Sequence, residues 1–189
     1  PETRQYRVSL KILTLSQARL SHLDLRRIGH PFVAELGAKL KSPVFLTAPC
    51  QGRSIIVDVV WPPEAAGDPV LVVGQVHSLG HSACGKVCAA FTEPDEPELI
   101  EQALAGETSP PSLAEWQDEF RRIRETQIAI RNEQNILAIA APLFRAGHRF
   151  TGAIGAWMPS GSVLTPAIEQ AVRQTATAIS FALGQPFSH

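Results

Sequence analysis

The sequence predicts a single α+β domain built on an antiparallel sheet. Two observations carry that expectation. Hydrophobic spacing alternates along the chain between a helical period near 3.6 and short β-branched runs, in the order helix, strands, helices, strands, helix. The last two strand-like runs are joined by Ala146-Gly147-His148, a hairpin signal that favours antiparallel pairing over a doubly wound sheet. The length also fits: 189 residues, 44% hydrophobic and 19% charged, suffice for one sizeable core. Together these residues read as one domain with no internal repeat.

Residues 8–41 read as two helices. Leu10, Leu13, Leu20, Leu23 and Leu25 recur at helical spacing, and Pro31 falls where the first turn of a second helix tolerates its missing N–H. Pro43 ends that helix. Strands are expected over 44–48 and 53–61, the second reading RSIIVDVVW, with a turn at Gln51-Gly52 between them. Residues 62–69 are a loop by composition, and 70–76 form another strand. A helix is expected over 82–91 and a short one over 96–105. After Pro110-Pro111, Ser112 and Glu115 make a capping box for a helix carrying Trp116, Phe120 and Ile123 on one face. Strands follow over 127–131, 137–145 and 149–158. Thr165 with Pro166 opens the final helix, whose Ala167, Ala171, Ala178 and Ala182 give it a small-residue face, and Gly184 closes it.

Composition narrows function. A formal net charge of -1 lacks the basic excess with which a protein grips nucleic acid, so these residues are not expected to bind DNA themselves. The apolar runs fall well short of a bilayer span. Three cysteines are too few, and odd in number, for a disulfide framework, which fits a reducing cytoplasmic setting. A start at Pro1 suggests a segment upstream.

Four stretches then resemble, in order, the effector domain of IclR-type bacterial regulators. RQYRVSLKILTL at 4–15 is similar to the family's segment joining a winged helix to the sensor. HSACGKVCAAF at 81–91 resembles H-x-S-A-x-G-K-A-L-L-A-F, AIAAPLF at 138–144 resembles C-I-A-A-P-V-F, and AISFALG at 178–184 resembles A-x-x-L-S-x-x-L-G. The resemblance implies a GAF-like (profilin-like) fold. Residues 1–15 would connect to a DNA-binding winged helix-turn-helix absent from this sequence, and 16–189 would be the sensor. It implies a small organic effector in a cavity beside the sheet, operator binding through the absent domain, and association as a homodimer or dimer of dimers, with no enzymatic activity and no cofactor.

Pocket candidates by this reading are Ala83, Cys84, Arg131, Ala138, Gly155 and Trp157. Small residues at a helix start let a ligand approach backbone N–H groups, which favour an anion. Arg131 could clamp a carboxylate, and Trp157 could stack on an aromatic effector or plug the cavity. Two departures fall on these positions. Arg131 stands where the family usually carries an acidic residue, and Trp157 where a small polar one is common. Two further patterns point elsewhere. His77, His81, Cys84 and Cys88 form H-x3-H-x2-C-x3-C, a candidate metal or redox sensor. Gly80-His81-Ser82-Ala83-Cys84 resembles the G-x-S-x-G nucleophile elbow, with Ser82 as nucleophile and His148 as a downstream base, against which the final Cys84 and the later hairpin weigh.

Overall fold

The computed structural model describes residues 17–50, 53–63, 65, 71–80, 82–92, 112–133, 136–159 and 161–184. The element order is α1 (Gln17–Leu40), β1 (Val44–Cys50), β2 (Arg53–Val60), β3 (Val76–Ser78), α2 (Ala83–Phe91), α3 (Leu113–Thr126), β4 (Ala129–Glu133), β5 (Ile136–Arg145), β6 (Arg149–Pro159) and α4 (Pro166–Ala182). The connecting segment expected at 1–15, the Gln51-Gly52 turn, the helix at 96–105 and His81 lie outside the described residues.

The six strands form one curled antiparallel sheet in the order β3-β2-β1-β6-β5-β4. Helices cover both faces. On one, α1 and α4 bury Leu25, Val33, Leu36, Val172 and Ile179 against Leu46, Ile139 and Ile154. On the other, α2 and α3 bury Cys84, Val87, Trp116, Phe120 and Ile123 against Phe45, Ile56, Ala138 and Ala140. Strand alternation divides the two cores, so neighbours such as Phe45 and Leu46 on β1 serve opposite faces.

The helix signals operate as read. Ser112 and Glu115 form both halves of the capping box on α3. Thr165 accepts from the Ile168 N–H, with Pro166 at the helix start. Gly184 closes α4 at φ +91°, its N–H donating to the Phe181 carbonyl. The hairpin between β5 and β6 turns through Gly147 at φ +75° and His148 at φ +55°.

Three expectations need correction. Residues 17–40 are one helix, not two, and Pro31 lies inside it. Proline forfeits a helix hydrogen bond, yet the buried stripe Leu25, Gly29, Val33, Leu36 runs straight past it while Pro31 itself faces solvent. The strand expected at 70–76 begins only at Val76. Before it, 71–75 form a turn in which Gly74, at φ +90°, donates to the Ile56 carbonyl, and Val72 and Val73 stay exposed. The strand expected at 127–131 begins at Ala129, because Gln127 is the left-handed C-cap of α3.

Candidate ligand-binding site

The face covered by α2 and α3 holds the site candidates. Ser82 caps α2 from an extended backbone (φ −143°, ψ 154°), its Oγ accepting from the Gly85 N–H at 2.9 Å. Ala83 and Cys84 follow, both buried against the sheet. Beside them the two registers β4–β5 and β5–β6 place Arg131 opposite Ala138 and Ala138 opposite Trp157, one row across three strands. The Trp157 N–H extends the row to the residue just before β1 by donating to the Pro43 carbonyl at 3.0 Å. The Trp157 ring stands edge-on to Trp61, centroids 6.4 Å apart at 73°. Both rings are half-buried, at the margin of the α2-side core rather than in it. Between bulky Arg131 and Trp157, the methyl of Ala138 leaves the floor low.

Gly155 lies one pleat further along β6, opposite Phe45 on β1 and Ala140 on β5. A Cβ there would meet Cys84 Sγ at 2.6 Å and the Phe45 ring at 2.8 Å. The glycine therefore lets α2 and β1 close on each other, and that closure forms the deep end of the face. Cys84 and Cys88, one helical turn apart, are wholly buried and close to Thr47. Burial pushes both thiols up, Cys88 to about 12, and Thr47 offsets only part of this. Thiols so held are protonated and poorly nucleophilic near neutral pH, unlike the exposed low-pKa thiols of redox sensors.

His77 and Ser54, which sequence reasoning left aside as a contact pair, face each other across β2 and β3 on this same face. His77 Nε2 and Ser54 Oγ are both shielded from solvent and without a hydrogen-bond partner among the described residues. His77 is held below its usual value, first by burial and then by the positive charge of Arg131.

Among the described residues, neither of the two other patterns assembles. Ser82 has ordinary extended geometry and a capping role, not the strained strand-to-helix elbow, and the sheet is antiparallel throughout. His148, the proposed base, is exposed in the β5–β6 turn. Of the H-x3-H-x2-C-x3-C set, His77 sits on β3 and the two buried thiols on α2. Among the described residues no three His, Cys, Asp or Glu side chains are grouped to hold a metal. The basic run 121–124 is largely a solvated face, with Arg121 on Asp118 and Arg122 on Glu119, while Arg124 donates to the Ala90 carbonyl and ties α3 to α2.

Sequence and fold comparisons agree on the family and the fold. The family model described as bacterial transcriptional regulator IclR C-terminal matches residues 17–181. The chain belongs to the IclR family, as its C-terminal domain. Among curated relatives, the DNA-binding transcriptional repressor YiaJ of Escherichia coli K12 is 27% identical, over 97% of this chain and 70% of that protein. The glycerol operon regulatory protein of Streptomyces griseus is also 27% identical, over 97% of this chain and 76% of its own length. Among solved structures, an IclR transcriptional regulator from Silicibacter matches with a TM-score of 0.76 at 18% identity, covering all of this chain and 78% of its own. The Thermotoga maritima IclR matches at 0.71 and 18% identity, covering 97% of this chain and 78% of its own. These structures share the fold expected from the resemblance, a GAF-like half-barrel sheet with flanking helices. IclR C-terminal domains typically bind effectors, and the relatives are transcriptional regulators. No helix among the described residues is long and apolar enough to cross a membrane.

Proposed function

We propose that this IclR domain senses a small organic effector, a carboxylate or an aromatic metabolite, in the α2-side site. Effector occupancy would control operator binding by a DNA-binding domain joined through residues 1–15. The single observation that supports this is the cross-strand row Arg131–Ala138–Trp157 beside the start of α2. It sets a guanidinium and an indole on either side of a small residue, which suits a ligand with an anionic end and a flat apolar body. Ala83, Cys84 and Gly155 would form the closed deep wall of the site. The domain would act in the cytoplasm as a homodimer or dimer of dimers, since an effector can act on a pair of DNA-binding heads only by preferring one arrangement of them. Moving such a pair from mostly one state to mostly the other takes a differential affinity worth about 5.5 kcal/mol.

The test is thermal unfolding of the chain with a panel of carboxylates and aromatic compounds. A saturating effector should raise the midpoint by several degrees, since a ligand at about 100 times its Kd adds about 2.7 kcal/mol. The same chain should not retard duplex DNA at moderate salt. A panel without any shift would sink the sensor reading.

A further inference from the structure

We propose that Trp61 sets the specificity of the effector site. With Trp157 it makes a two-walled aromatic corner that takes a planar aromatic ring and disfavours a saturated ring of the same size. The inference rests on the sensor reading above and narrows it, since it commits the apolar body of the effector to an aromatic ring and adds a residue from the end of β2.

The corner follows from the strand registers. Val44 pairs with Val60 on β2 and with Ala156 on β6. One residue further along, Pro43 lies between Trp61 and Trp157, and its carbonyl accepts from the Trp157 N–H. Alternation puts both indoles on the α2 side, in the row beyond Val59, Phe45 and Gly155. Strands β2 and β6 flank β1, so the two tryptophan backbones stand roughly 10 Å apart. Their ring centroids are only 6.4 Å apart, at 73°. The indoles therefore lean toward each other over Pro43, whose short side chain does not hold them apart, and the edge of one meets the face of the other.

The chain has three tryptophans, and the third shows what full packing looks like. Trp116 is 2% exposed in the α2-side core. Trp61 and Trp157 are only half-buried, although an indole gains more than most side chains from complete burial. On the α2 side the corner is closed, because the Phe45 ring and Cys84 Sγ fill the space over Gly155. Solvent meets the two indoles from the other side, so a guest reaches them without passing through the core.

Two walls near a right angle suit one shape of guest. A flat ring stacked on the indole whose edge meets its neighbour points its own edge at that same neighbour's face. It thus makes both preferred aromatic geometries at once, each worth about 2- to 10-fold in affinity beyond the area buried. A cyclohexane ring buries similar area, but it is thicker and has no quadrupole, so it makes neither.

Matched acids test this. Benzoate with cyclohexanecarboxylate, and phenylacetate with cyclohexylacetate, carry the same charge and differ in the ring. By calorimetry, the aromatic member of at least one pair should bind at least about fivefold more tightly than its saturated partner. Trp61→Leu should shrink that ratio to within about twofold of unity, and Trp61→Phe, which restores an aromatic wall, should keep most of it. The indole N–H resonances give a reading on the unsubstituted chain, which decides even if Trp61→Leu does not fold. The ring current of the aromatic acid should shift those of Trp61 and Trp157 and leave that of buried Trp116 in place. A shift confined to Trp157, or a selectivity that survives Trp61→Leu, overturns the role of Trp61. Saturated members binding as tightly as aromatic ones, or no aromatic member binding while another compound of the panel stabilises the chain, overturns the inference and leaves the sensor reading standing. If no compound of the panel stabilises the chain, both fall.

Discussion

Three glycines show how closely the layers approach, and their substitution should grade by what each Cβ would strike. At Gly152 it would lie 2.2 Å from the Thr47 carbonyl oxygen, a backbone atom in the β1–β6 pairing that cannot move without breaking the ladder. At Gly155 it would strike Cys84 Sγ and the Phe45 ring, buried side chains rather than backbone. At Gly29 the obstacle is the far end of Leu46, and the change also adds a residue with better helix propensity. Urea unfolding should therefore show Gly152→Ala as the worst, losing more than about 3 kcal/mol, Gly155→Ala losing about 1–3, and Gly29→Ala within about 1 of wild type. Cys84→Ala should recover part of the Gly155→Ala loss, because those two positions share the same space. A flat series would mean that the approach of α2 to β6 is looser than these distances imply.

At the scale of elements, α1 is fastened to the sheet by one carboxylate. Asp58 is 2% exposed, accepts from His30 Nδ1 at 2.7 Å and lies 3.5 Å from Arg26 Nε, both on α1. Both α1 side chains are more than half exposed, so solvent screens the pairing and its worth is below that of a fully buried pair. Asp58→Asn keeps the volume and should cost about 1–2 kcal/mol in urea unfolding, with α1 amides losing hydrogen-exchange protection more than those of α3. Equal loss across the molecule would contradict a local tie. Which elements were legible in the sequence follows the same logic. Caps are local chemistry, so Ser82, Ser112 and Thr165 mark their helices without help from the fold. The join of two expected helices through Pro31 was not legible, because it depends on a buried face supplied by strands elsewhere in the chain. Nor was the turn at 71–75, where β-branched residues suggest a strand but the hydrogen bonds to Ile56 decide otherwise. The site divides similarly. The β5–β6 hairpin fixes a register that pairs Ala138 with Trp157, so part of the row follows from the turn. The Ser54–His77 pair does not, because a bulge between Leu46 and Thr47 shifts β2, putting Val57 and Asp58 both toward α1 and breaking the alternation of RSIIVDVVW.

At the scale of the whole molecule, the two helical layers share one sheet, and the α2-side core contains two thiols that can ionise only at a cost. Both have folded-state values raised above the ordinary 9.0, Cys88 to about 12 and Cys84 further, with burial the leading cause. The sign follows directly. The neutral thiol is favoured in the folded state, so its contribution is fully present below pH 9 and is lost as pH rises from 9 toward 12. Between those limits each thiol steepens the decline by up to about 1.4 kcal/mol per pH unit, since the unfolded chain ionises and the folded chain does not. Lysine pairs on the surface also weaken at alkaline pH, so the test is a comparison of slopes. Cys84→Ala with Cys88→Ala should start less stable at pH 8, because it leaves cavities, yet lose stability between pH 9 and 11 less steeply than wild type. The unfolding midpoint in urea at half-unit pH steps gives both slopes. Parallel slopes would show that water reaches the thiols in the folded chain, and hence that the contact of α2 with β1 and β6 opens far more often than its packing implies. Because the same contact forms the deep wall of the proposed effector site, a compound that binds there should hold α2 against the sheet and slow thiol labelling at pH 9 in proportion to its occupancy.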